Sequence, residues 1–204
     1  MLIICLFVMV QNAYAQGDVK HLKIEAEARD SIMAITRRIE RNPNDGKLYG
    51  YRSYYKGLLK DYVGAIDDTR KQLKLIPDNL TGHKSLIYLV LGDYLREIED
   101  YTGAIREYNL SLELIQTGEA YFSRGRAKYA LSDYLGAYQD YNTSIEKALN
   151  AEFKNTLLLM EAYYNRGIVQ VYHLNNKMSG CLDLSKSGEL GYVFAYDVIK
   201  ERCN

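Results

Sequence analysis

The sequence predicts an all-α fold, a right-handed α-solenoid of repeated helix-turn-helix units with helical caps. Two observations lead to this prediction: a motif that recurs along the chain, and apolar residues spaced as on one face of an α-helix. The composition agrees, because the 204 residues include only two prolines and no tryptophan. Helix pairs of this kind cannot bury their apolar faces singly, so they are expected to stack on their neighbours.

The repeated motif begins with a tyrosine and has a small residue four positions later. Four residues mark each copy. They are Tyr49, Ser53, Ala65 and Thr69 in the first, Tyr88, Gly92, Ala104 and Tyr108 in the second, Tyr121, Gly125, Ala137 and Tyr141 in the third, and Tyr163, Gly167, Gly180 and Leu184 in the fourth. The turn inside a copy reads Asp-Tyr-x-Gly-Ala at 61–65, 100–104 and 133–137. Three near-identical turns at matched positions are a strong repeat signal. A further half-copy is indicated by Ser31, Ile35 and Pro43, because Pro43 precedes Pro77 by 34 residues.

Apolar residues within a copy recur every three or four positions, which is the spacing of an amphipathic helix. In the second copy they are Leu91, Leu95 and Ile98, followed by Ala104, Ile105, Tyr108, Leu112 and Ile115. Each copy is therefore predicted to be two helices that bury a shared face.

These motifs resemble the tetratricopeptide repeat (TPR) family over roughly 31–187, in the Tyr-x-x-Arg-Gly variety common in exported bacterial proteins. The resemblance implies about four units within 46–187 and two caps. The units are 46–79, 85–117, 118–150 and 160–187, the N-terminal capping helix or half repeat is 16–45, and the C-terminal capping helix is 188–204. In the second cap, Val193, Phe194, Val198 and Ile199 are expected to cover the last repeat.

Four features depart from the family pattern. Thr69 replaces the second-helix aromatic residue, extra residues lie near 79–84 and between 147 and 160, and the last turn at 175–179 lacks the Asp-Tyr pair.

The first fifteen residues differ from the rest of the sequence. Leu2 to Val10 is an unbroken apolar run, too short for a bilayer, which needs about 20 residues. Ala13-Tyr14-Ala15 is a small-x-small cleavage signal. Residues 1–15 are therefore predicted to be a signal peptide, and the protein to be periplasmic or secreted. The alternative is a buried N-terminal helix, since no lysine or arginine precedes the apolar run.

Two cysteines, Cys181 and Cys203, lie behind the predicted cleavage site. They fall near the start of the last repeat helix and at the end of the capping helix, so an antiparallel arrangement brings them to the same end. In an oxidising compartment a disulfide bond is expected. The alternative is two unpaired buried thiols.

Composition and motifs give little sign of chemistry. Lysine plus arginine equals aspartate plus glutamate at 26 each, so no charge excess marks a nucleic-acid binder. The three histidines are scattered without metal-ligand spacing, and no nucleophile elbow or phosphate-binding loop occurs. No enzyme activity, cofactor, metal or catalytic residue is predicted. An enzyme or glycan-binding protein on a solenoid scaffold is the less favoured alternative.

Arginines and aspartates recur at matched repeat positions. They are Arg52, Arg124 and Arg166, each followed 16 or 17 residues later by Asp68, Asp140 and Asp183. They form either a ladder for an acidic ligand or an ion pair inside each unit. The second interpretation is favoured, because a feature that every unit shares usually serves the unit.

Residues that differ between units are better candidates for a binding site. The resemblance implies that first helices line a concave groove, which here contains Tyr54, Leu89, Asp93, Arg96, Phe122, Arg126, Tyr129, Tyr164, Asn165, Ile168 and Tyr172. Aromatic residues with a few charges suit a protein or peptide partner. Arg126 and Asn165 are candidates to hold a carboxylate or a backbone carbonyl. For each aromatic residue the alternative is packing against the next repeat.

The sequence therefore predicts an exported interaction module that binds a protein or peptide in its groove, with no nucleic-acid partner and no integral membrane span. The alternative is a structural subunit of a cell-envelope assembly, held through its caps or its convex face.

Overall fold

The computed structural model describes the backbone from Leu2 to Cys203 and the side chains from Leu22 to Cys203. The described part is made of α-helices without a strand. They are α1 (Leu2–Arg41), α2 (Gly46–Leu58), α3 (Tyr62–Leu75), α4 (Thr81–Glu97), α5 (Tyr101–Leu114), α6 (Gly118–Ala130), α7 (Tyr134–Asn150), α8 (Thr156–Tyr172), α9 (Lys177–Glu189) and α10 (Phe194–Arg202). The predicted signal peptide, 1–15, lies outside the residues whose side chains are described, and it stays a prediction.

The helices pack in consecutive pairs, α2 with α3, α4 with α5, α6 with α7 and α8 with α9. Helix α1 packs on α2, and α10 packs on α9. The chain divides into two compact units, Met1–Ile76 and Pro77–Asn204. Among the residues described, no helix is long and apolar enough to cross a membrane.

Each compact unit has its own apolar core. In the first, Ile35 and Ile39 of α1 pack with Leu48 and Tyr49 of α2. In the second, one cluster contains Phe122, Ala137, Tyr141, Ile145, Ala148, Leu158, Leu159, Ala162 and Val169. These residues come from α6, α7 and α8, so adjacent helix pairs share one core, as stacked repeats must.

The repeated Asp-Tyr-x-Gly turn is a helix N-cap. The carboxylates of Asp61, Asp100 and Asp133 accept hydrogen bonds from the backbone N–H three residues later, at 3.0, 2.8 and 2.9 Å. This bond satisfies one of the backbone donors that a helix start leaves free. The donor is always glycine because a Cβ at Gly103, for example, would lie 2.2 Å from Asp100 Oδ2.

A left-handed residue precedes each of these aspartates. Lys60, Glu99 and Ser132 have φ angles of 60°, 63° and 62°. The fourth turn is one residue longer, with Asn175 at φ 51°, and Asn176 makes no side-chain cap bond. Because the fourth turn lacks the Asp-Tyr pair, helix α9 lacks the aspartate N-cap that starts α3, α5 and α7.

Small residues let the two helices of a pair approach closely. The ring of Tyr108 lies against Gly92, where a Cβ would come within 2.5 Å of Tyr108 Cε1. In α2 and α3 the matching residues are Ser53 and Thr69, whose hydroxyl oxygens lie 2.6 Å apart and are buried. Ser53 stands where α4 has Gly92, and its side chain takes up part of the space that the Tyr108 ring fills there. The facing position in α3 therefore holds the smaller Thr69 in place of an aromatic residue.

The inserted residues lengthen helices. Helices α4 and α8 have 17 residues each, against 13 in α2 and α6. The extra residues add about one turn at the start of α4 and of α8. The second insertion also extends the end of α7, which has 17 residues against 14 in α3 and α5.

Ion pairs join the helices of three pairs. The nitrogen-to-oxygen distances are 2.6 Å for Arg52–Asp68 and 2.7 Å for both Arg124–Asp140 and Arg166–Asp183. The three aspartates are buried, so the guanidinium groups are occupied within the fold. The interpretation as internal ion pairs is confirmed, and the ladder for an acidic ligand is wrong.

The same arginines also contact the preceding second helix. Nη1 of Arg52, Arg124 and Arg166 donates to Thr36 Oγ1, Asn109 Oδ1 and Asn142 Oδ1 at 3.2, 2.7 and 2.7 Å. Each arginine thus fixes its own helix pair and the helix before it.

The C-terminal cap differs from its prediction in one respect. Helix α9 continues to Glu189, and the chain turns at Gly191, whose φ is 111°. Val193 and Phe194 are 65% and 62% exposed, so they do not cover the last repeat. Ala195 is buried there, the Tyr196 ring lies against Gly188 of α9, and the other two predicted cap residues, Val198 and Ile199, are half-buried.

Candidate binding face on the first helices

The first helices of three pairs, α4, α6 and α8, lie next to one another in the second compact unit. Most of the predicted groove residues are on these helices. The surface that carries Asp93, Arg96, Arg126, Tyr129, Tyr164 and Tyr172 is called the first-helix face below.

The α4 end of this face is polar. The Tyr108 hydroxyl donates to Asp93 Oδ1 at 2.8 Å, and Arg96 Nη2 lies 4.0 Å from the same oxygen. Burial raises the pKa of Asp93, while hydrogen bonds from Tyr108 and Ser123 and the charges of Arg96 and Arg126 act in the opposite direction. Asp93 is therefore a partly buried acceptor held in place by a phenol.

Four tyrosines meet at the other end and are called the tyrosine cluster: Tyr129, Tyr164, Tyr172 and Tyr192. The rings of Tyr164 and Tyr192 have centres 4.5 Å apart. Burial raises the pKa of Tyr164, and the neighbouring phenols of Tyr192, Tyr172 and Tyr129 raise it further. Tyr129 and Tyr172 are still 36% and 39% exposed. Tyr164 and Tyr192 are thus in contact, and the nearby rings of Tyr129 and Tyr172 remain open to a ligand.

Further aromatic and basic groups surround the tyrosine cluster. The His173 ring stacks on Tyr134 with centres 3.6 Å apart, and its Nε2 lies 3.2 Å from the Tyr129 hydroxyl. The Arg202 guanidinium lies 4.9 Å from the centre of the Tyr172 ring. Stacking and cation–π contacts hold these side chains at the rim without burying them.

Phe122 is the predicted groove residue that belongs to the core. It is 6% exposed, and its ring centre lies 5.8 Å from that of Tyr141. Packing is therefore the right interpretation for this residue, and a ligand on the surface would not reach its ring. Arg126 is exposed and covers it, with the guanidinium 5.9 Å from the Phe122 ring centre.

The other predicted residues differ in how available they are. The Asn165 amide donates to the Glu161 carbonyl at 2.8 Å, so it is occupied in its own helix. Leu89 and Ile168 are half-buried. Tyr54 is 57% exposed and packs edge-on against Tyr55, in the first compact unit. The first-helix face therefore consists of residues of the second unit alone.

The sequence did not assign five residues to the binding face: Tyr192, which belongs to the tyrosine cluster, and Tyr134, His173, Phe194 and Arg202, which lie around it. Tyr192 and Phe194 arrive there because the chain turns back after α9. Tyr134 resembles the other turn tyrosines of the repeat, so its contact with His173 has no sequence signal. The unusual fourth turn, which contains His173, was the available hint.

Across the described side chains, no group of three or more histidines, cysteines or acidic residues could hold a metal ion. The first-helix face offers hydrogen-bond donors and acceptors, one partly buried carboxylate and aromatic rings. Such a face can hold an extended chain by stacking and hydrogen bonding.

The two cysteines lie on α9 and just after α10. The Sγ atoms of Cys181 and Cys203 are 2.01 Å apart and their Cα atoms 5.8 Å apart, which is disulfide geometry. The pair ties the end of α10, next to Arg202, to α9. The oxidised state of the exported protein stays a prediction.

Comparison with known proteins agrees with this fold. No protein-family model matches the sequence. A crystal structure of MamA is similar with a TM-score of 0.67 at 17% identity, over 81% of this chain and 89% of that one. YrrB, described as a TPR protein with an unusual peptide-binding site, gives 0.67 at 17% identity, over 86% and 84%. The C-terminal part of a TPR repeat-containing protein from Cytophaga hutchinsonii gives 0.67 at 16%, over 88% and 65%.

These similarities concern the fold. Together with the ten helices and their consecutive pairing in the described residues, they confirm the predicted class: the chain has the all-α solenoid fold of TPR proteins.

Proposed function

We propose that this chain is an exported interaction module that binds a protein or peptide segment on its first-helix face. The observation that carries the proposal is the tyrosine cluster, where Tyr164 packs on Tyr192 and the phenols of Tyr129 and Tyr172 lie near enough to raise the pKa of Tyr164. Exposed aromatic groups of this kind are uncommon on a surface that has no partner.

Tyrosine and arginine are the residues that contribute most to binding energy at protein interfaces. Tyrosine rings offer a large contact area and lose little conformational entropy, because only two torsions are fixed. Arg126, exposed between the polar end and the tyrosine cluster, can donate to a carboxylate or a main-chain carbonyl of the ligand. Asp93 can accept from a main-chain N–H at the polar end.

The similar structures support this proposal by analogy. YrrB is described as having an unusual peptide-binding site, and its fold resembles that of this chain. Because a fold alone does not determine function, the proposal depends on the tyrosine cluster and on Arg126.

Affinity capture tests the proposal. The purified chain serves as bait for extracts of its own cell, beside the variant Arg126→Ala/Tyr164→Ala. Arg106→Ala is the matched control, because Arg106 is an exposed arginine on the second helix α5. We expect a partner that the control retains and the double variant binds at least tenfold more weakly, about 1.4 kcal/mol. A partner held equally by all three proteins would place the interface elsewhere.

Export is the second part of the proposal. It is supported by the apolar run at Leu2–Val10, the Ala13-Tyr14-Ala15 signal and the paired cysteines. Intact-mass analysis of the protein in the periplasmic or secreted fraction should give a chain that starts at Gln16. An unprocessed chain confined to the cytoplasm would rule export out.

A structural role in a cell-envelope assembly is the second candidate. It is favoured by exposed apolar residues on the last helices, among them Met178 and Leu182 at 81% and 68%. In the capture experiment, this role predicts a partner that the first-helix variant retains.

A further inference from the structure

An apolar groove of about 600 Å³ lies between α9 and α10. Met178, Leu182 and Ile199 line it together with the two cysteines, and Lys177 and Ser185 stand at its edges. Met178 and Leu182 are largely exposed there. The groove is apart from the first-helix face and takes no part in the proposed binding of a peptide.

Helix α10 has the register of a first helix. It packs on α9 as α8 packs on α7, and Tyr196 and Ile199 follow Tyr163 and Arg166 by 33 residues. In α8, Arg166 is the residue that contacts the second helix of the pair, through Asp183. In α10 the same position, Ile199, lines the groove. The groove is therefore the place that a second helix would take on α10, and among the described residues none takes it.

Helix α1 has the register of a second helix. Thr36 accepts a hydrogen bond from Arg52, as Asn109 and Asn142 of second helices accept from the next arginines. Pro43 also matches Pro77, 34 residues later. Within the described part of the chain, α1 packs on α2 but has no first helix of its own. Its opposite side is open, with Met33 53% exposed and Ala34 exposed.

The two open faces match each other chemically. In α1, Ala34 occupies the repeat position that Asp68 occupies in α3, 34 residues later. In α10, Ile199 occupies the repeat position that Arg166 occupies in α8. Three complete pairs have an arginine and an aspartate here. An ordinary second helix would bury its aspartate against Ile199 without a partner, which is unfavourable. Helix α1 brings an alanine instead.

The charges of exposed side chains on α1 and at the groove are also complementary. Asp30 precedes Ala34 by one helical turn, so both lie on one side of α1. Asp30 is exposed, as is Lys177 at the start of α9. Helix α1 docked in the groove would therefore bring the acidic Asp30 to a surface that carries the basic Lys177.

We propose that α1 of a second copy of this chain docks in the α9/α10 groove and completes a helix pair with α10. The contact is heterologous, since it joins the first helix of one copy to the last helices of another. Such contacts generate open-ended chains of copies unless the rotation between copies closes a ring.

Two substitutions at exposed positions test this geometry. Ala34→Asp places a carboxylate on α1, and Leu182→Asp places one in the groove. Val63→Asp, at a side chain that is 64% exposed on α3, is the matched control. Circular dichroism and thermal unfolding verify that all variants fold. The measurement is sedimentation velocity of the purified protein, as the cell produces it, over a range of concentrations.

We expect the wild type and the control to grow beyond dimers as concentration rises, and each groove or α1 variant to remain monomeric. An equal mixture of the Ala34→Asp and Leu182→Asp proteins should form a one-to-one dimer and stop there, because one intact α1 meets one intact groove. A wild type that is monomeric throughout, a mixture that stays monomeric, or variants that assemble like the wild type would each overturn the proposal.

Discussion

Arg124 holds Asp140 of the partner helix through two parallel hydrogen bonds, from Nε to Oδ2 at 2.9 Å and from Nη2 to Oδ1 at 2.7 Å. Lys128 Nζ lies 2.9 Å from Asp140 Oδ2. Asp140 is 3% exposed. One buried carboxylate therefore pairs with two cations inside the α6/α7 pair, and substitutions of these residues test how the repeat is stabilised.

Removing the carboxylate should be strongly destabilising. Asp140→Ala leaves two partly buried cations unpaired, and we expect the free energy of unfolding to fall by about 3 kcal/mol. The matched control is the triple variant Asp140→Ala/Arg124→Leu/Lys128→Leu, because Leu91 and Leu95 occupy the two cation positions in the α4/α5 pair. Urea unfolding followed at 222 nm should find most of the loss recovered. A triple variant as unstable as the single one would contradict the ion-pair explanation.

The cap at the turn before α5 should show a coupled effect. Gly103→Ala pushes the new Cβ against the Asp100 carboxylate, which breaks the cap bond and costs about 1 kcal/mol. With Asp100→Ala already present, the same Gly103→Ala substitution should be neutral or stabilising, since alanine favours a helix by about 1 kcal/mol over glycine. A double-mutant cycle by thermal unfolding measures this sign change. Additive effects of the two substitutions would disprove the steric explanation.

Asp93 should make stability depend on pH at the acidic side. Burial raises the pKa of Asp93 in the folded protein, so the folded state binds a proton where the unfolded state has lost it. The contribution of Asp93 to stability is thus greatest at low pH. It declines as pH rises from about 4, the ordinary pKa of aspartate, through the raised pKa.

Asp93→Asn is the control for this pH effect, because its oxygen can still accept from Tyr108. The unfolding free energy of the wild type minus that of the variant should decrease as the pH is raised through this interval. A difference that stays flat, or that increases with pH, would mean that the pKa of Asp93 is not raised.

The cysteine pair should stabilise the C-terminal cap. We expect no free thiol in the exported protein by alkylation and mass spectrometry before reduction, and two after it. Closing the loop between Cys181 and Cys203, which are 22 residues apart, contributes about 3 kcal/mol in the chain-entropy model. The double variant Cys181→Ser/Cys203→Ser should accordingly unfold at a lower temperature in the absence of reductant. Two alkylated thiols in the unreduced exported protein would rule the disulfide out.

Local signals in the sequence predicted most of the fold. The spacing of the repeated motif defined the helix pairs, and the recurrence of Arg124 and Asp140 led correctly to an ion pair within the unit. The motif spacing recurs in all four copies and the ion pair in three of them, so both are short-range regularities. The extra residues before α4 and α8 became additional helical turns, which the spacing alone could not distinguish from loops.

The binding face was less predictable, because it depends on contacts between distant segments. Phe122 occupies a groove position by repeat register, yet neighbouring helices bury it against Tyr141. Tyr192 joins Tyr164 only because the chain reverses at Gly191. Neither outcome follows from a periodic pattern, since each is decided by how one unit packs on the next.

Hydrogen–deuterium exchange of the chain with its captured partner tests the central claim most directly. If the first-helix face binds a protein or peptide, exchange should slow in α6, in α8 and around Tyr192, and Arg126→Ala/Tyr164→Ala should abolish the slowing. Slowing confined to the second helices α5 and α7, or to α1 and the α9/α10 groove, would contradict the proposed binding face.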